Sequence, residues 1–243
     1  MHILIYSRYI VRKNILITGT PRSGKSTLLR KLICHIPNAV GLVTNEILDG
    51  DGRIGFEMET HAQDKAILAH KDFGTPYKVS KYSVDVRNLD SLLPQVSGFS
   101  EDSLLYLDEI GQMQLFSEEF RRVALIYLDA PNTCIITISY IYEDTFTKEI
   151  KERNDVILVE ISAETRKEKE EFISQLIKKI EKAKKYIAEP ERFTIKGPIV
   201  QLKSEHASRN LLFKDSRWTC SCDFFNQYEI CSHTIATEEI MKR

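Results

Sequence analysis

The stretch GTPRSGKST, residues 19–27, limits what this chain can fold into more than any other. It fits the pattern G-x-x-x-x-G-K-[ST] completely. It follows a short apolar run, NILIT, and precedes LLRKLI, whose apolar spacing is helical. A strand must deliver the chain to such a loop and a helix must leave it, which implies a layered α/β fold. Phosphate chemistry explains the residue types. Gly19 and Gly24 let the backbone wrap closely around oxygen atoms, and the helix start adds its positive end. Thr20, Pro21, Arg22, Ser23 and Thr27 complete the cradle, with Arg22 either touching phosphate or facing solvent. Lys25 is the partner for β- and γ-phosphates, and the Ser26 hydroxyl is a ligand for Mg²⁺.

A phosphate loop needs a second strand that ends in an acid. The run SLLYLDEIG, residues 103–111, is apolar until Asp108 and Glu109. A buried parallel strand reads this way, and ligands gather at the carboxyl ends of such strands. Asp108 is therefore the expected Mg²⁺ holder, and Glu109 the group that orients or deprotonates the attacking water. Capping the next helix is the competing role for Glu109. Further strand-like runs at 38–43, 133–138 and 155–161 alternate with helical patterns, including Ser117 to Leu128. This alternation predicts mainly parallel strands joined by right-handed crossovers. Cys34 and Cys134 read as small core residues.

Composition sets wide bounds. The 243 residues are 42% hydrophobic and 28% charged, with a net charge of −1, which gives no global attraction to nucleic acid or an anionic membrane. No apolar run nears the roughly 18 residues of a membrane span. The N-terminal MHILIYSRYIV lacks a basic start and a small-residue cleavage site, so it reads as a strand or an extension from an early start codon. A cytoplasmic protein with reduced thiols is expected.

Several segments share one order with a known family: GTPRSGKST, GLVTNEI (41–47), GRIGF (52–56), SKYSVDV (80–86), DEIGQMQLFS (108–117) and KEIKERNDVILVEIS (148–162). Together they resemble the cancer-related nucleoside-triphosphatases, also known from thermophiles, over residues 13–166. The resemblance implies a RecA-like core and slow, Mg²⁺-dependent hydrolysis of several nucleoside triphosphates. It carries Lys25, Ser26, Asp108 and Glu109 into the roles already argued, and it matches Glu46 and Arg166. Leu48 and Gln112 stand where the family has arginine and lysine, and SYIYEDT (139–145) replaces its basic and His-Pro elements. Arg166 is the candidate for retained positive charge near the phosphates, against a surface salt bridge.

The expected domains are a P-loop nucleoside-triphosphatase at 1–166, a helical linker packing on it at 167–189, and a small zinc module at 190–243. In the linker, Phe172, Leu176, Ile180, Ala183 and Ile187 share a helical face, Thr165 and Glu168 have capping-box spacing, and Pro190 ends the helix. Short strand-like runs follow: RFTIKG, IVQLKS, RNLLF and RWTCSC.

The tail gathers three of the chain's five cysteines, in WTCSCDFFNQYEICSH. Cys220, Cys222, Cys231 and His233 offer a closed Cys₃His set suited to structural Zn²⁺, whereas disulfides would leave one cysteine over. Cys231 and His233 converge only if a helix begins between them. Zinc would also fasten a module too small for a stable core of its own. The spacing resembles the SWIM zinc finger, a ββα module over 191–243, and such modules are associated with DNA or proteins. Charge does not choose a partner: eight Lys/Arg face seven Asp/Glu from residue 190 onward, and three thiolates with Zn²⁺ bring the balance to zero. Lys196, Lys203, Arg209, Lys214 and Arg217 form one hairpin face beside Phe213 or are simply solvated. The chain thus reads as an NTP phosphohydrolase whose tail recruits DNA, RNA or a protein. A nucleotide-dependent binding switch and a nucleoside or nucleotide kinase are the alternatives.

Overall fold

The apolar run before the phosphate loop forms β1 (Asn14–Thr18), buried at every position as a strand covered on both faces must be. This computed structural model describes residues 12–50, 52–205 and 207–241. The reading of the first eleven residues lies outside them. After the loop comes α1 (Lys25–Ile33), which buries Leu28, Leu29 and Leu32 on one side. Then follow β2 (Ala39–Asp49), β3 (Gly52–Thr60), β4 (Lys65–His70), β5 (Tyr77–Val79), β6 (Tyr82–Val84) and α2 (Val86–Val96). The acidic strand is β7 (Leu104–Ile110), followed by α3 (Glu118–Asp129), β8 (Cys134–Ile138), α4 (Thr145–Lys151) and β9 (Val156–Glu160).

These strands build one nine-stranded sheet in the order β5-β6-β4-β3-β2-β7-β8-β1-β9. The five from β2 to β9 in that order are all parallel, with β8 standing between the loop strand β1 and the acidic strand β7. The remaining four are antiparallel and extend the β2 edge. The expectation of a mainly parallel sheet therefore holds for the core and misses this extension. In β3 charged and polar residues interrupt the apolar ones, β4 is bounded by Lys65 and His70, and β5 and β6 have three residues each, so none carries a long apolar run for periodicity to detect.

The core lies between the sheet and α2 and α3, where Leu89, Leu93, Phe120 and Tyr127 meet Leu42, Leu105, Leu107 and Ile136. The buried Tyr127 hydroxyl donates to the Val96 carbonyl at 2.7 Å, which satisfies the one polar atom that this ring brings inside. Ser117 caps α3 by accepting from the Phe120 N–H, so the helix begins where the sequence reading placed it. Cys34 departs from its reading. It is exposed at the C-terminal end of α1, past the buried leucines, with its thiol on the Lys31 carbonyl. Cys134 is fully buried, and burial pushes its thiol up to about 12.

The chain divides into two compact units between Glu170 and Glu171, inside α5 (Arg166–Ile187). The sequence reading made 167–189 a linker helix packing on the first domain and set the boundary of the tail at Pro190. From Glu171 onward it belongs with the C-terminal unit instead: Phe172 lies 4.5 Å from the Tyr228 ring, and Lys182 pairs with Glu205. The cap of α5 also differs. Ser162 and Thr165 exchange side-chain and backbone hydrogen bonds at 3.0 and 3.2 Å, and Ser162 thereby takes the capping role read at Thr165.

The C-terminal unit holds an antiparallel sheet of β10 (Phe193–Lys196), β11 (Ile199–Lys203), β12 (Ser208–Lys214) and β13 (Arg217–Thr219), in that order. Two helices close it, α6 (Asp223–Tyr228) and α7 (Ser232–Ile240). The four strand-like runs read in the tail are β10 to β13, whereas the two helices exceed the single one of a ββα module. Val200, Leu202, Leu211 and Trp218 bury one sheet face, against which α7 packs with Ile235 and Ala236.

Candidate active site and metal centre

The phosphate loop ends where Gly24, at φ 91°, takes the position before α1. A side chain there would be strained by its backbone and would stand 2.4 Å from Nη1 of Arg166. Gly19 is as constrained, since a Cβ would lie 2.2 Å from the Ile161 carbonyl oxygen. Glycine is needed at both places because the chain after β9 lies against the loop. Arg166 is therefore a loop neighbour, and its guanidinium lies against Gly24. Arg22 and Thr27 are exposed, whereas Ser23 is buried. The Lys25 ammonium donates to the carbonyls of Gly19 and Thr20 at 2.9 and 3.4 Å, which holds it over the loop.

Asp108 lies at the end of β7, 1% exposed. Its Oδ1 accepts from Ser26 Oγ at 2.9 Å and from Thr137 Oγ1 at 2.6 Å. Its Oδ2 is buried with no hydrogen-bond partner among the described residues. Burial pushes the Asp108 carboxyl above its usual range, while Thr137, Ser26 and the Arg30 charge pull the other way. A divalent cation fits this set: a hydroxyl and a carboxylate converge, and one buried oxygen lacks a donor. Burial also raises Glu109, opposed by Lys25 and reinforced by Asp108. Glu109 caps no helix, because α3 is capped by Ser117.

Three contributors were missed in the sequence. Thr137 on β8 donates to Asp108, Thr44 on β2 bonds the Asp108 carbonyl through its hydroxyl, and Arg30 on α1 donates to Asn45 Oδ1 at 2.7 Å. Threonines inside strands read as ordinary β-formers, so no local signal distinguishes them. Glu46 takes a different place: it pairs with Arg53, whose guanidinium lies 4.7 Å over the Phe56 ring. Leu48 is 62% exposed, and Tyr140 and Ile141 are exposed in the segment after β8.

In the C-terminal unit the ligand atoms of Cys220, Cys222, Cys231 and His233 all lie within 4.8 Å of one another. His233 Nδ1 is 3.6 Å from Cys220 Sγ and 3.7 Å from Cys231 Sγ. A tetrahedron with Zn–S of about 2.3 Å and Zn–N of about 2.0 Å has S···N edges of about 3.5 Å, so the spacing fits zinc. Cys231 is extended and starts α7, and His233 stands in the first turn, which is how the two converge. Sharing with Cys231 lowers the Cys220 thiol to about 4 and that of Cys222 to about 6, while Cys231 moves up. Backbone N–H groups of Cys222, Phe225 and Thr234 each point at one of the three sulfurs. Such donors favour thiolates, the form that binds metal. The Tyr186 ring stacks on the His233 ring at 5.9 Å and 16°.

The family model described as NTPase matches residues 14–176, which contain the loop, Asp108, Glu109 and Arg166. Nucleoside-triphosphatase THEP1 of Thermotoga maritima is 40% identical over 154 residues, 63% of this chain and 88% of that protein. The Aquifex aeolicus protein of the same name is 31% identical over 163 residues, 63% of this chain and 92% of its own. The crystal structure of THEP1 from Aquifex aeolicus covers 68% of this chain and 98% of its own with a TM-score of 0.61 at 29% identity. The solution structure of a human cancer-related nucleoside triphosphatase gives 0.58 at 26% identity, covering 68% of this chain and 97% of its own. The matched span ends at 176, before the cysteine cluster. With the phosphate loop, the acidic strand and the parallel core all inside that span, the chain belongs to the NTPase family.

Proposed function

We propose that this chain is a nucleoside-triphosphate phosphohydrolase with broad base tolerance, using Mg²⁺, and that its C-terminal unit is a zinc-held module of SWIM type that recruits a macromolecule. The observation that carries the enzymatic reading is the convergence of Lys25, Ser26, Asp108 and Glu109 at the loop end of the parallel sheet. Ser26 and Asp108 would hold Mg²⁺, which when bound neutralises charge on the β- and γ-phosphates. Lys25 binds the same phosphates from the loop side, and Arg166 adds positive charge across Gly24. Glu109 takes a proton from water at its carboxylate, and partial burial suits it to that task by raising its basicity. Hydrolysis is favoured over transfer to an acceptor because this base stands directly beside the cation-holding aspartate.

Phosphate release from ATP, GTP, CTP and UTP with Mg²⁺ tests the reading. Lys25→Ala should abolish turnover. Glu109→Gln should lower kcat by at least about 10²-fold, the usual worth of a positioned base, with nucleotide affinity nearly unchanged. Wild-type turnover in Glu109→Gln would reject the assignment, and phosphate found on an added nucleoside would replace hydrolysis by a kinase. The zinc reading requires one zinc per chain by elemental analysis of protein purified without chelator.

A further inference from the structure

Alternation along β10 to β13 divides their side chains between the α7-covered face and a solvent face. The cross-strand register assigns the faces. Val200 pairs with Leu211 and Phe213 with Trp218 on the covered side, while Lys203 pairs with Ser208 and Lys214 with Arg217 on the open side. Lys196, in register with Ile199, is also on the open side. All four cations are exposed. None of the four strands contains an aspartate or glutamate. The open face of this sheet therefore carries four cations and no acid on its strands, while the acids of the unit stand in turns and helices. Glu229 reaches Arg217 at 3.1 Å, but both side chains are exposed and such a pair is weak. Arg209 belongs to the covered-face register and is not part of this surface.

The geometry points to this open sheet face as a docking surface for the phosphate backbone of a nucleic-acid duplex. The inference rests on the recruiting role proposed above and names its ligand. Complementary charge selects a polyanion. The row of Lys203 and the row of Lys214 are six residues apart on β12, a span of about 20 Å, enough to reach phosphates on both sides of a groove about 12 Å wide. Between them lie the exposed amides Gln201 and Asn210, donors suited to phosphate and sugar oxygens, and the exposed apolar pair Ile199 and Leu212. Unpaired bases are a poorer fit because they are held by aromatic stacking, and Phe193, Phe213 and Trp218 all fall on the covered-face register. The face reads backbone and not sequence.

Full-length, zinc-loaded protein titrated into a labelled 20-base-pair DNA duplex and into its separate strand, by fluorescence anisotropy over 50 to 200 mM salt, tests this. The duplex should bind more tightly than the strand, with log K falling against log salt at a slope of about −3 for three to four neutralised phosphates. Lys196→Ala, Lys203→Ala and Lys214→Ala should each reduce that slope by about 0.9, and the triple variant should lose binding, with zinc content and NTP turnover retained. Lys178→Ala, exposed on α5, should change nothing. Duplex binding that survives the triple variant, tighter binding of the single strand, or no duplex binding at about 50 mM salt overturns the inference. Polyglutamate serves as an acidic-protein probe. If it alone binds, and the triple variant loses it, the duplex is wrong while recruitment by the module stands. If neither probe binds, both readings fall.

Discussion

Gly24 shows how much a single position decides at the phosphate site. A methyl group there meets the Arg166 guanidinium at 2.4 Å, and the φ of 91° is itself unfavourable for any L side chain. Gly24→Ala should cost about 1–2 kcal/mol of stability and displace Arg166, weakening nucleotide binding with it. Chemical unfolding and a nucleotide titration on the same variant check both halves. Glu109 makes a second residue-scale prediction, through pH. Burial raises its carboxyl above the ordinary 4.5, and a base must be ionised, so turnover should fall as pH drops through a value above 4.5. The pH–rate profile of Glu109→Gln should lack that limb. The sign for stability is the reverse. A raised carboxyl contributes to stability below its ordinary value, and the contribution is lost as pH rises through the raised one. Glu109→Gln should then gain stability over the wild type at neutral pH, and the gain should vanish toward pH 4.

At the scale of elements, the start of α5 ties local structure to the site. Ser162 and Thr165 satisfy each other's backbone N–H groups, and Arg166 follows at once, its N–H on the Ser162 carbonyl at 3.1 Å. Ser162→Ala should cost about 1 kcal/mol by losing a cap and should lower kcat by letting Arg166 move, whereas Ser162→Thr should retain both. Unfolding curves and steady-state kinetics separate the two effects. Parallel strands were legible here because burial on both faces leaves long apolar runs, as in β1, β7 and β8. The antiparallel extension from β3 to β6 was not, since polar residues interrupt β3 and bound β4, and the other two strands have only three residues each.

At the scale of the molecule, the division inside α5 separates the proposed hydrolytic residues, none beyond Arg166, from the cysteine cluster. A structural zinc contributes about 10–16 kcal/mol of apparent binding energy, more than so small a unit holds by its own core. Removal of zinc should therefore unfold the C-terminal unit and leave nucleotide hydrolysis in place. Calorimetry before and after chelation should show one transition lost, with turnover preserved. Equal loss of both would mean that the two units do not fold separately.

What the residues alone determined is local chemistry. The loop pattern, the acids closing an apolar strand, and each of the C-x-C and C-x-H pairs lie within a few neighbouring positions, where the geometry of strand and helix is nearly dictated. What only the tertiary structure decided is which distant groups meet. Thr137 and Ser26, 111 positions apart, share one oxygen of Asp108, and Arg166 meets Gly24 across the ends of two strands. The face on which Lys196, Lys203, Lys214 and Arg217 fall depended on cross-strand register, and the owner of α5 depended on which surface its apolar stripe met. Such meetings follow from burying apolar area over the whole chain, a balance that no short stretch of sequence carries.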